Sequence, residues 1–185
     1  QSRLARMAIY ERSREWPQAS KVARLLEKSG EVDFSIRMAH YQCELALEAQ
    51  QRGDSAQANE ILQQTLRTHP DAPRPRLLLG QLQLSQGQYR LAYDNLAVLF
   101  DQNNPIAPLA AASLVKAAQG CRHTIAALNL LTVHYQQHPG IDVLEGITTL
   151  SRSTTDLNTE QERYLNHLQN NPSLIAANRW LMREH

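Results

Sequence analysis

The sequence predicts an all-α solenoid of stacked antiparallel helix pairs, and three observations carry that prediction. Two segments, 39–72 and 73–106, hold matching residues 34 positions apart: Gly53 and Gly87, Ala58 and Ala92, Leu62 and Leu96, Leu45 and Leu79, with Ala46 answered by Gly80. Prolines close successive segments, Pro70, Pro105, Pro139 and Pro172, at intervals of 35, 34 and 33 residues. The chain is 42% hydrophobic but only 5% aromatic. Its Val, Ile and Thr never gather into the alternating runs that strands require.

A fixed period of this length marks a repeat array, and 34 residues with small residues at the helix crossings is the tetratricopeptide (TPR) unit. One helical hairpin cannot bury its own apolar stripe. Stacked neighbours bury a continuous core, and about three repeats are needed for stability. The sequence supplies about four to five. The expected result is a right-handed superhelix whose concave groove is lined by the first (A) helix of each pair.

The elements follow in order. Residues 3–13 place Leu4, Met7, Ala8 and Tyr10 on one helical face, and a second helix over 17–29 carries Ala19, Val22, Ala23, Leu25 and Leu26. Pro17 suits a first turn, and Gly30 marks the stop. Residues 1–34 thus form a degenerate first hairpin, with Trp16 as its second-helix aromatic. The repeat 39–72 has its A helix over about 35–52, its turn at Arg52-Gly53-Asp54-Ser55 and its B helix over 55–68; Asp54 or Ser55 is placed to cap the latter. The repeat 73–106 has helices over 73–86 and 88–101, a core that includes Leu79, Tyr89, Leu96 and Phe100, and Gly87 as a left-handed turn residue. Gly80 lets its two helices approach closely. The repeat 107–140 has an alanine-rich A helix, a turn at Gly120, and Ala127, Leu128, Leu131 and Tyr135 as the buried face of helix B. The repeat 141–173 is weaker. Its A helix is short, Thr159 and Glu162 form a capping box, and Tyr164, Leu165 and Leu168 face inward. A terminal helix over 174–185 covers the last face. The whole chain, 1–185, reads as a single array.

Composition bounds the function. Nineteen basic and 18 acidic side chains leave a net charge of +1, which gives no general attraction to nucleic acid or an anionic membrane surface. Cys43 and Cys121 lie in different repeats without a CxxC or Cys/His cluster, and read as buried, reduced thiols. No apolar run approaches the ~20 residues that span a bilayer. The chain starts at Gln1 inside a helical pattern, as an excised piece of a longer protein would.

Nothing in the sequence matches catalytic chemistry. GxSxG, HExxH, P-loop and GxGxxG motifs are all absent. His134 and His138 are four apart, a spacing that suits a metal, but no third ligand accompanies them and His138 precedes a helix-closing proline, where an imidazolium complements the helix dipole. His69-Pro70 repeats that arrangement. Glu44 and Glu48 read as a solvated helix face, and Arg74 with Arg76 as an exposed repeat start. No catalytic, cofactor or metal residue is expected. What remains is the groove, where the repeat register places Gln50, Arg74, Gln81, Lys116, Glu145 and Arg152 as candidate contacts to an extended or helical peptide.

One stretch goes further. Met38-Ala39-His40-Tyr41-Gln42-Cys43-Glu44-Leu45-Ala46 is similar to an Ala-His-Phe-Tyr-Cys-Glu-Leu-Ala signature of the lipopolysaccharide assembly protein B family, departing from it in the Tyr-Gln order before Cys43. The preceding hairpin, Gln63–Pro70 and the Gln-Gln-His-Pro closure at 136–139 extend the resemblance. It implies an adaptor on the cytoplasmic face of the bacterial inner membrane, held by an N-terminal anchor. That adaptor presents the lipid A pathway deacetylase to the membrane protease FtsH and so limits lipopolysaccharide synthesis. It also implies an iron-binding rubredoxin-like domain with two CxxC pairs, absent from this sequence. Two other readings stand beside it: a TPR assembly factor for pili or outer-membrane complexes, and the repeat domain of a glycosyltransferase.

Overall fold

The structure, a computed structural model, describes residues 2–27 and 34–151, together with Asn166. The described residues form nine α-helices and no strand: α1 (Arg3–Arg12), α2 (Trp16–Glu27), α3 (Ser35–Gln51), α4 (Ser55–Thr68), α5 (Pro73–Ser85), α6 (Tyr89–Asp101), α7 (Ala107–Gly120), α8 (Thr124–Gln137) and α9 (Ile141–Ser151). The helix bounds expected from proline, glycine and apolar spacing hold to within a residue or two. Gly30, Arg152, the Thr159–Glu162 capping box, Tyr164, Leu165, Leu168, Pro172 and the terminal helix 174–185 lie outside the described residues.

The chain divides into two compact units, Gln1–Gln86 and Gly87–His185. In the first, each helix packs on its successor from α1 to α5, and the A helices α3 and α5 also touch. Its core begins with Met7, Trp16, Ala19, Ala23, Leu26, Phe34 and Tyr41. A second cluster holds Cys43, Ala46, Ala49, Ala58, Leu62, Leu79 and Leu82. In the second unit, α7 packs against α6, α8 and α9, and α6 also meets α8. Alanines 107, 110, 111, 117 and 118 are fully buried there and bring α7 close to its neighbours. Several expected core residues are not in the core. Leu4, Ala8 and Leu25 are exposed, because each sits off the stripe that contacts a partner helix, while Leu128 and Tyr135 are half-buried.

Each A helix that precedes a described B helix closes in the same way. A residue with positive φ follows the helix: Arg14 (56°), Gly53 (81°), Gly87 (72°) and Arg122 (61°). At Gly53 the closing bonds are Gly53 N–H to Gln50 O and Asp54 N–H to Ala49 O, both 2.9 Å. His123 N–H to Ala118 O at 2.8 Å repeats the second of these, as does Glu15 N–H to Tyr10 O at 2.9 Å. This is the Schellman closure that glycine favours. Asp54 then caps α4, accepting Gln57 N–H at 2.9 Å, as the sequence suggests.

Gly120 is a correction. It is not the turn residue but the last residue of α7, and Arg122 takes the left-handed conformation. Gly120 is needed for another reason: a Cβ there would sit 2.3 Å from Cγ of Tyr89. Tyr89, expected in the core, lays one ring face on this glycine and remains 43% exposed. Cys121 is also corrected. As the C-cap of α7 it is only half-buried, whereas Cys43 is buried as expected; both are free thiols.

Candidate functional site

In the first unit, a cavity of about 700 Å³ opens where the starts of the A helices α3 and α5 meet the end of α4. Pro70, Ala72, Pro73 and Pro75 line its far wall, with Ile36, Ala39 and His40 opposite. The prolines belong to the inter-repeat connection and the first turn of α5, where a missing N–H costs nothing. Ile36, on the first turn of α3, is 83% exposed at the rim, an apolar side chain left open to a partner.

Arg74 reaches from α5 back to α3. Its Nη2 donates to Glu44 Oε1 at 2.5 Å, and its Nη1 meets His40 Nδ1. Glu44 is therefore part-buried and paired, not a solvated carboxylate as its sequence context implied. Arg76, beside it, donates to the Pro70 carbonyl at 2.6 Å and ties down the connection, so the basic pair at the repeat start is engaged. His40 continues the network: its ring meets the Trp16 indole edge-on, centroids 5.8 Å apart, and Trp16 stacks on Tyr41 at 6.0 Å. The Tyr41 hydroxyl donates to Glu11 Oε1 at 2.5 Å. Burial, reinforced by that carboxylate, pushes the Tyr41 phenol up to about 12. Burial likewise pushes the Cys43 thiol up to about 12, so it is a packing group and not a nucleophile at neutral pH.

In the second unit, the A helices α7 and α9 enclose a groove of about 440 Å³. Lys116 and Glu145, both expected groove residues, line it together, beside Asp142, Gln119 and Thr149. Leu109, 65% exposed, forms an apolar end. Gly146 forms part of the floor, where a Cβ would come 3.0 Å from Leu131 Cδ1 and 3.3 Å from Val115 Cγ2; this glycine is what lets α9 seat so deeply. The groove thus offers one cation facing two carboxylates at an apolar step.

Of the six residues expected to face a partner, Lys116 and Glu145 share this groove, Arg74 lines the first unit's cavity, and Gln50 and Gln81 are exposed on α3 and α5. Arg152 lies outside the described residues. Glu44, Ile36, Asp142 and Leu109 were missed. The period itself held a signal for the first site: His40 and Arg74 are 34 residues apart, equivalent positions on successive A helices. The expected histidine pair on α8 is also resolved. His138 is the exposed C-cap, but His134 is buried. Among the described residues no three His, Cys, Asp or Glu side chains gather as a metal site.

Comparison with solved structures fits this architecture. MamA from Desulfovibrio magneticus RS-1 superposes with a TM-score of 0.59 over 94% of this chain and 95% of its own, at 15% identity. A Podospora anserina kinesin light chain protein with nearly identical TPR-like repeats superposes at 0.52 over 91% and 92%, with 16% identity. The chain has a TPR-like helical-repeat fold. No family model matches it. By sequence it is similar to the lipopolysaccharide assembly protein B of Escherichia coli K12, 27% identical over 100 residues, and to that of Haemophilus influenzae, 29% over 97. Those stretches are 54% and 52% of this chain but 26% and 24% of the relatives, so the match spans about a quarter of each relative's length.

Proposed function

We propose that this chain is a non-enzymatic protein-interaction scaffold of the lipopolysaccharide assembly protein B type. Its A-helix grooves would dock the partners of an adaptor that brings the lipid A pathway deacetylase to an FtsH-type membrane protease. The similarity of half the chain to that protein carries the reading. The grooves support it: each joins exposed apolar residues to a small set of charged ones, the composition that peptide recognition uses. Gln50, Arg74, Gln81, Lys116, Glu145 and Arg152 are the proposed partner-facing residues, with Ile36 and Leu109 as apolar anchors. No helix among the described residues is long and apolar enough to cross a membrane. Placement at the cytoplasmic face of the inner membrane therefore rests on the family's N-terminal anchor, and iron binding on its rubredoxin-like domain; this chain itself is expected to need no cofactor.

Affinity capture from cell extract with the natural full-length protein tests the reading. Both the deacetylase and the protease should be retained at physiological salt. Reversing the second groove with Lys116→Glu and Glu145→Lys should weaken retention of at least one partner by about tenfold, equivalent to about 1.4 kcal/mol. Retention of neither by the unaltered protein would overturn it.

A further inference from the structure

His134 has no evident structural task. It lies near the C-terminal end of α8, 4% exposed, and neither Nδ1 nor Nε2 finds a hydrogen-bond partner among the described residues. The repeat register supplies its own controls. The matching position is Thr65 in α4 and Leu99 in α6, both buried. Thr65 satisfies its hydroxyl locally, Oγ1 donating to Ile61 O at 2.7 Å, and Leu99 has nothing to satisfy. Among the described helices α4, α6 and α8, only α8 puts an imidazole there, at the cost that attends any buried unsatisfied polar group.

The surroundings of His134 are poor at accepting a charge. Its ring meets Phe100 of α6 edge-on at 5.2 Å and His138 at 5.4 Å. One charged group on an element packed against α8 shares its cavity: Asp101 of α6 lines the same space of about 480 Å³ as His134. Lys116 of α7 and Asp142 and Glu145 of α9 line the A-helix groove instead. Arg90 of α6 is engaged with Asp94 and His123. On α8 itself, Tyr135 is neutral and half-buried. A second imidazole holds the same seam: Asn103 Nδ2, in the loop after α6, donates to Gln137 Oε1 and to His138 Nε2, each at 2.9 Å.

We propose that the α6–α8 seam of the second unit is an acid-labile latch, closed while the buried His134 is neutral and released when it takes up a proton. Burial, with His138 beside it, holds the His134 imidazole below the usual histidine range, so its position near a helix C-terminus does not compensate. The sign follows. Above about pH 6.5 the imidazole is neutral whether the seam is open or closed, and pH has no leverage. As pH falls below that value the open form binds a proton the closed form refuses, and opening becomes easier until the closed form itself titrates.

Amide hydrogen exchange on the full chain tests this between pH 7.5 and 5, expressed as protection relative to the intrinsic rate at each pH. Protection in α8 should fall by up to about tenfold per pH unit below 6.5, while α4, with Thr65 at the matching position, keeps its own. His134→Leu, which copies Leu99, should flatten the α8 response. An unchanged response in that variant, or an equal fall in α4, would overturn the latch. If His134→Leu does not fold, an NMR titration of His134 Cε1–H in the unaltered chain decides: a midpoint below 6.5 supports the latch, and one at or above 6.5 sinks it.

Discussion

The first unit fills the space between its opening helices with rings: Trp16 on Tyr41, and His40 on the edge of Trp16. The second unit fills the corresponding space with alanine, five of them fully buried along α7. The polar groups follow the same division. In the first unit they are linked, from Glu11 through Tyr41 on one side and from His40 through Arg74 to Glu44 on the other. In the second the links are confined to exposed loops and helix ends, Asn103 with Gln137 and His138 and Arg90 with Asp94 and His123, and the buried His134 has no hydrogen-bond partner among the described residues. Linked groups stiffen a surface and lower its appetite for a ligand. Unmatched ones cost stability and are available to a proton or a partner. The comparison assigns rigidity to the first unit and responsiveness to the second.

The sharpest break of this comparison removes a ring. Trp16→Ala should cost about 3–5 kcal/mol, the range for a buried tryptophan, because it strips Tyr41 and His40 of their common neighbour. Urea unfolding of the full chain measures it. A cost below about 1 kcal/mol would mean that the aromatic stack is incidental.

Alkaline pH should then find the first unit where acid finds the second. The Tyr41 phenol sits at about 12 in the folded chain against an ordinary value near 10. Its contribution is fully present below pH 10 and lost as pH rises through about 12, roughly 2–3 kcal/mol at most. Tyr41→Phe should remove a distinct part of the alkaline slope of the urea midpoint, leaving the parts due to Cys43 and to Tyr93 and Tyr135 of the second unit, each raised by burial in the same way. An alkaline slope unaltered by that substitution would show that the phenol is not what the unit protects.

Gly120→Ala sets two effects against each other. A helical glycine replaced by alanine gains about 0.5–1 kcal/mol, but the new Cβ would fall 2.3–2.7 Å from the Tyr89 ring. Those ring atoms lie next to the Tyr89 Cβ and not at a flexible tip, so the clash should win, for a net loss of about 1–2 kcal/mol. Adding Tyr89→Ala should cancel most of the penalty. If the pair is additive, the contact is not the reason for the glycine.

How much of this was legible in the sequence depends on the kind of residue that carries it. Helix bounds were legible because Pro70, Pro105, Gly53 and Gly87 act locally, through their own backbone chemistry. The site was less so. The stretch Met38–Ala46, which carries the family resemblance, has Ala39, Tyr41, Cys43 and Ala46 buried, so much of its pattern records how α3 packs; His40 is exposed and Met38, Gln42, Glu44 and Leu45 are half-buried. The Arg74–Glu44 pair joins residues 30 apart and becomes visible only when successive A helices are laid side by side. The sequence reads His134 and His138 together as a structural pair because periodicity alone does not distinguish one from the other a turn on; burial does. Gly120 was misread because a glycine near a helix end serves a turn and a close approach equally well, and only the position of Tyr89 tells them apart.

The smallest effect is the most even-handed, since it touches both units. Arg14 and Arg122 hold the left-handed positions that Gly53 and Gly87 hold in the other closures. A non-glycine residue pays about 1–2 kcal/mol for that conformation, while glycine pays more backbone entropy on folding, so the net gain is smaller. Arg14→Gly in the first unit and Arg122→Gly in the second should each stabilise the chain by about 0.5–1 kcal/mol, and Gly53→Ala or Gly87→Ala should cost about as much. Nothing lies within 4 Å of a Cβ built at either glycine, so any loss there reports backbone strain alone. Equal gains at Arg14 and Arg122 would show that the two units differ in their side chains and not in how their helices turn. A gain at only one would show that the difference reaches the backbone as well.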